Sequence, residues 1–366
     1  GKRHRYSEVP TEISCNDVSV VALSKSELYL YVGQQDGFVS IYELKTLECR
    51  ARWRVHRGGV HAMIINDRDL FTGSEEGLVQ ITRLNEDFSK DQANSLTLYG
   101  HNDTVRCMSL HPGDSTKLLT GSADRSIILW NTDTGMEDHT IAHAHILAVT
   151  AIVWVVETRE FISAGAEGSI NIWDMHSYKL MKRLEAHSKP ITALVFRGNR
   201  MISSSLDTDI ITWNLAKRET DVSIRFHEKP IHSLKVLSDM KTIVSAGADK
   251  LIRFFDVDTS LQLYTVPTDG REILDVMVNK EMTRLITACP DKIVIQSICL
   301  KSIRNEVRLH ESTQIKMVDI SHTGRQFVTC SQDGEIGIWN LETFKLEASM
   351  KNGAGLKKAR FFPQDE

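Results

Sequence analysis

The stretch GSADRSIILWN, residues 121–131, closes a segment that opens with Gly100 and His101. His101, Thr120, Ser122, Asp124 and Trp130 therefore fall within one short span. A hydroxyl, an imidazole and a carboxylate in one unit are the ingredients of a nucleophile with its base and orienter. The same ingredients also make a buried hydrogen-bonded brace. The rest of the chain decides between the two, because a catalytic set is needed once and a brace recurs.

The pattern does recur. An acid precedes a β-branched, apolar run at Asp36, Glu76, Asp124, Glu167, Asp207, Asp249, Asp291 and Asp333, at spacings of 40, 48, 43, 40, 42, 42 and 42 residues. Six positions after these acids stand Tyr42, Thr82, Trp130, Trp173, Trp213, Phe255, Ser297 and Trp339. Four positions before them stand Val32, Thr72, Thr120, Ser163, Ser203, Ser245, Thr287 and Thr329, a hydroxyl in every unit except the first. Upstream of most acids comes a histidine: His56, His101, His145, His187, His227 and His310. Self-similarity at such a period signals a repeat architecture.

These recurring residues resemble the Trp-Asp (WD) repeat family, whose period of about 40–45 residues and four strands per blade build β-propellers. The resemblance runs from about Asn16 to the C-terminal end, although the namesake dipeptide is literal only at Trp173 and Asp174. It implies an all-β fold of eight four-stranded blades, with seven as the alternative. It also implies that the turn acid, loop His, strand Ser/Thr and Trp indole brace each blade. His101, Thr120, Asp124 and Trp130 form the clearest set, and Trp173, Trp213 and Trp339 hold the same place in their units. A fully satisfied buried polar network rigidifies a core, so the sequence favours a scaffold over a catalytic site.

Strand patterning agrees, with short apolar runs such as VRCMSLH, KLLTGSA and SIILWN parted by polar turns. The resulting division is a leader at 1–15, a propeller of eight units at 16–351, and a tail at 352–366. That tail, through Leu356, Lys357, Phe361 and Pro363, matches the first strand of a unit. It is expected to complete the ring or to open a ninth repeat of a longer parent. The 48-residue spacing places a polar loop at 85–94, on the wide bottom face by family geometry.

The 366 residues carry a formal charge of −4, which gives no overall signature of nucleic-acid binding. Six scattered cysteines without a Cys-x-x-Cys pair fit reduced thiols of a cytoplasmic or nuclear protein. No apolar run is long enough for a membrane span. Phosphate-loop, zinc-helix and nucleophile-elbow motifs are missing, so no enzyme, cofactor or metal site is expected. Of the two imidazoles in AHAH, His145 is assigned to the brace, and the alternation of a strand would turn His143 the other way.

Function is therefore placed on the narrow top face, where the family presents residues near the start of each first strand and just before each turn acid. His61, Glu75, Thr104, Arg106, His232, Lys316 and Gln332 are the candidate partner-binding residues. Such a mixed rim suits a polar protein segment with one or two acidic groups better than a phosphate backbone. The expected protein is a non-enzymatic scaffold or adaptor, a monomeric ring within a larger complex. The alternative is an RNA- or chromatin-associated propeller, drawing on Lys2, Arg3, Arg5, Arg106, Lys357, Lys358 and Arg360.

Overall fold

The computed structural model describes residues 11–15, 17–268, 270–298, 315–320, 326–331, 335–340 and 346–351. Four-stranded antiparallel sheets follow one another along residues 18–297. Blade one is built from Val18–Leu23, Tyr29–Gln34, Phe38–Glu43 and Cys49–Arg54, in that order from inner to outer strand. Blades two to six repeat this plan over 60–98, 105–141, 149–185, 191–224 and 231–267. Blade seven takes only three strands from its own repeat, Asp275–Val278, Arg284–Ala288 and Lys292–Ser297. Its fourth strand is Thr11–Ser14, paired antiparallel with Lys292–Ser297 so that Thr11 faces Ile295 and Ser14 faces Lys292.

That pairing closes the ring at seven blades, where the repeat count favoured eight. The reason is steric and local. Val18 N donates to Pro290 O (3.0 Å), and Val18, Val21, Leu30 and Val32 of blade one pack directly on Ile286, Ala288 and Ile293 of blade seven. No space for another blade is left between them. Thr11–Ser14, which falls inside the stretch read as a leader, is thus the strand that fastens the circle. The eighth unit makes a four-stranded sheet of its own, Ile315–Ile320, Gln326–Ser331, Glu335–Asn340 and Leu346–Lys351, within a second compact unit spanning Lys301–Glu366. The tail at 352–366 lies outside the described residues.

The second strand of each blade explains the near-continuous apolar runs. Both of its faces are covered, because each blade packs between two others. In blade four, Phe161 meets Trp154 and Trp173 at the junction with blade three, while Ile162 and Ala164 face Ile191, Met201 and Trp213 of blade five. Successive residues point to opposite sides of a sheet, so a strand read two residues at a time names both of its neighbours.

The long spacing in unit two is absorbed differently from the loop expected at 85–94. The turn through Asn85 and Phe88 matches the other blades, with Phe88 at φ 64° where Leu47 and Tyr178 have 62° and 55°. The extra residues instead sit within the outer strand Lys90–Leu98, as a bulge between the pairs Ile81↔Leu96 and Arg83↔Asp91. The Asp91 side chain accepts hydrogen bonds from Ala93 N, Asn94 N and Asn94 Nδ2, which holds the bulge shut.

Candidate functional site

Blades three to six are held rigid by side-chain hydrogen bonds, and it is a rigid blade that can present side chains from its inner edge. In blade three the indole N–H of Trp130 donates to Thr120 Oγ1 (2.8 Å), and His101 Nε2 lies 2.7 Å from the same oxygen. His101 Nδ1 is 3.0 Å from Asp124 Oδ2. The indole can only donate and the carboxylate only accept. Thr120 Oγ1 therefore accepts from the indole, and the imidazole presents a proton on Nδ1 to Asp124. Burial alone would raise the Asp124 pKa. Hydrogen bonds from His101, Ser126 and the Asn102 amide outweigh it and hold the carboxyl far below its ordinary range.

The same chain links Trp173, Ser163, His145 and Glu167 in blade four, and Trp213, Ser203, His187 and Asp207 in blade five. Blade six substitutes Phe255 for the indole. There His227 still joins Ser245 and Asp249, and the buried Arg253 also bonds Asp249. Among the described residues, blade two keeps only His56 with Thr72 (2.8 Å), and Thr82, at the Trp position, has a buried hydroxyl without a partner there. Burial depresses His56 to about 4. The side chain of Trp339 lies outside the described residues, although its backbone pairs with Phe327. His143 and His145 stand in a turn, with His143 at φ 53°, rather than on a strand as expected.

A feature invisible in the repeats sets the inner edge. Every inner strand from blade one to blade six carries a β-bulge at its second residue, between Val18 and Val20, Val60 and Ala62, Val105 and Cys107, Val149 and Ala151, Ile191 and Ala193, and Ile231 and Ser233. A bulge re-aims one side chain and leaves the rest of the ladder paired. The bulged residues are Ser19, His61, Arg106, Thr150, Thr192 and His232. All line a central channel of about 380 Å³. Lys316 occupies the corresponding bulge of the separate sheet, between Ile315 and Met317, so it is not a member of this ring; Gln332 lies outside the described residues.

The members of the ring are not equivalent. Ser19 donates to Gly33 O, Thr150 to Ala164 O and Thr192 to Ser204 O, so three hydroxyls are satisfied by their own blades or a neighbour. His232 Nε2 is 2.7 Å from Glu272 Oε1. Arg106 is exposed and makes no ion pair or hydrogen bond with the described residues, and His61 makes no hydrogen bond with them. Burial lowers the His61 pKa, Glu75 raises it and Arg106 lowers it, leaving the imidazole neutral at pH 7. Thr104 donates to Glu75 O (3.4 Å) and accepts the amide of Ala123 (2.8 Å), which ties blade two to blade three beneath these two bases.

Sequence reasoning missed the acidic side of the channel. Asp275 of blade seven accepts from Ser233 and lies 3.5 Å from Lys235 Nζ. Leu274, whose amide donates to Ala288 O, stands just before this strand, and Leu274 and Asp275 both line the channel. Among the described residues no Phe, Tyr or Trp lines the channel. Among the described residues no group of His, Cys, Asp or Glu is arranged to hold a metal ion, and no helix is long and apolar enough to cross a membrane.

Seven four-stranded sheets arranged about a channel define a β-propeller. Comparison with known proteins gives the repeats their family. The profile described as "WD domain, G-beta repeat" matches residues 93–131, 220–256 and 301–340. The chain is 27% identical over 234 residues to the DENN domain and WD repeat-containing protein SCD1 of Arabidopsis thaliana, covering 62% of this chain and 18% of that protein. It is 23% identical over 253 residues to WD repeat-containing protein 55 of the same plant, covering 67% of this chain and 70% of that one. Actin-interacting protein 1 of Caenorhabditis elegans is 32% identical over 179 residues, covering 47% and 28%. The chain spans less than a third of the length of two of these relatives. It is a WD-repeat β-propeller protein.

Proposed function

We infer that this chain is a non-enzymatic scaffold that docks a partner's polar, partly acidic segment at the channel mouth, across blades two and three, within a cytoplasmic or nuclear complex. The observation that carries the reading is the pair of unengaged bases at adjacent bulges. Arg106 offers a guanidinium and His61 a neutral imidazole, while the hydroxyls further round the ring are taken up internally. A free guanidinium matches a carboxylate in bidentate fashion, and Thr104 and Glu75 are placed beside it to meet the donors of the same segment. Because the channel brings no aromatic anchor, the partner supplies its own hydrophobic contact to the mouth. One free arginine beside Glu75, Glu272 and Asp275 is a poor match for a nucleic-acid backbone, which rewards many cations at once.

The test is affinity capture from extract with the wild-type chain beside an Arg106→Glu, His61→Ala double variant that melts at the same temperature. Loss of a defined partner set, with that set retained after nuclease treatment, supports the reading. An unchanged set removes it, and partners lost to nuclease favour the nucleic-acid alternative.

A further inference from the structure

The opposite end of the ring carries a second site. A pocket of about 290 Å³ opens between blades one and two, lined by Tyr29, Tyr31, Asp67, Arg68, Glu86 and Phe88, over Leu84 and Asn85. Tyr29 and Tyr31 stand two residues apart on the strand Tyr29–Gln34, so both face blade two. Phe88 comes from the left-handed position of blade two's outer turn, and its ring meets Tyr29 edge to face at 4.6 Å and 62°. The pocket therefore has aromatic walls set at an angle. A bulky residue at positive φ is costly, and here it brings a ring to the pocket's lip.

Tyr31 is 2% exposed. Its hydroxyl makes no hydrogen bond with the described residues, and it is not sealed off, since the side chain lines the pocket. Burial pushes the phenol up to about 12, so it stays protonated and neutral at any physiological pH. An unpartnered hydroxyl in such a place asks for a ligand that can hydrogen-bond to it, and the charges around it decide of which sign. Two carboxylates line the pocket, Asp67 and Glu86, against one guanidinium, Arg68, which Glu86 already holds at 2.8 Å. Arg50, whose field reaches Tyr29, is held by Glu43 and Glu48. Ring faces add further negative potential.

We propose that this pocket binds the primary ammonium of a lysine side chain presented by a partner protein, with the alkyl stem against Tyr29 and Phe88, and the ammonium shared between the Tyr31 hydroxyl and the Asp67 carboxylate. The exposed Lys25–Asp67 pair (3.3 Å) is weak enough to be exchanged for the incoming cation. The site lies at the end of the blades away from the channel mouth described above, and it stands or falls independently of that surface.

The test is an amide-resolved NMR titration of the full chain with n-butylammonium as the probe, beside n-butyltrimethylammonium and butyrate. Saturable shifts confined to residues 29–31, 67–68 and 84–88 are expected with n-butylammonium. Tyr31→Phe, which keeps the ring and removes only the hydroxyl, should weaken that binding roughly tenfold, and Asp67→Asn should do the same. Three results would each overturn the proposal: no saturable shift in the pocket, equal binding of the trimethylated probe, or preferential binding of butyrate. Because the Tyr31 hydroxyl makes no hydrogen bond with the described residues, Tyr31→Phe should melt no lower than the wild type, which separates a lost contact from a lost fold.

Discussion

At the scale of single residues, the braces make acid the chain's natural enemy. His56, His145, His187 and His227 are all held below the ordinary imidazole value by burial, so they are neutral in the folded ring and bind protons more readily once unfolded. Stability is full above about pH 6.5 and falls as the pH drops. For His56 the loss runs down to about 4 and is worth about 3 kcal/mol. Asp124, Glu167, Asp207 and Asp249 are shifted downward too, so their contribution holds above the ordinary carboxylate range and disappears below it. Urea melts at pH 7, 5.5 and 4 should show a first decline between 7 and 5.5 and a steeper one below; a flat profile would mean that the imidazoles are not buried as described. Thr120→Val should cost about 2–4 kcal/mol, since both the Trp130 indole and His101 lose their shared partner. These residues were legible in the sequence because their types recur at fixed offsets. Arg253 was not, since it joins the brace at the Asp249 and His227 end, from a position that the repeat leaves unspecified.

At the scale of the strand and turn, the tight connections between second and third strands divide into two kinds. In blade four the last turn position is Gly168, at φ 89°, where an added Cβ would sit 2.1 Å from His187 O. In blade five the same position is Thr208, at φ 79°, a β-branched residue in a region such residues avoid. Gly168→Ala should therefore cost about 2–4 kcal/mol, and Thr208→Gly should be neutral or stabilise by about 1 kcal/mol, both read as shifts in denaturant midpoint. Equal effects at the two sites would refute the conformational argument. The turns themselves could be read from Gly and Asp. The bulges could not, because they follow from how an inner strand bends to begin a blade and leave no constant residue type: the bulged positions hold Ser, His, Arg, Thr, Thr and His.

At the scale of the whole ring, closure depends on a short strand with little pattern of its own. TEIS offers one large apolar residue, Ile13, and nothing in its composition marks it as part of a repeat whose other strands lie far along the chain. Counting units therefore gave eight where pairing gives seven. Deleting residues 1–14 should remove the burial of Ile13, the ladder to Lys292–Ser297 and the Glu12–Lys292 ion pair (2.6 Å). A loss on the order of 3–5 kcal/mol is expected, with association through the bared edge. Calorimetry and light scattering would check it, and an unaltered, monomeric melt would mean that the ring holds without its clasp.

The same clasp has a consequence in time. Strand Thr11–Ser14 is among the earliest parts of the ring to be synthesised, yet its partner lies some 280 residues downstream, so the contact is about as non-local as this ring allows. Blades one to six can each form from adjacent strands as they emerge from the ribosome. The leading strand has nothing to pair with until the seventh blade arrives. Nascent chains halted before Lys292 should therefore expose Thr11–Ser14 to protease, and those extended well past Ser297 should protect it, making closure the last event in the birth of the ring.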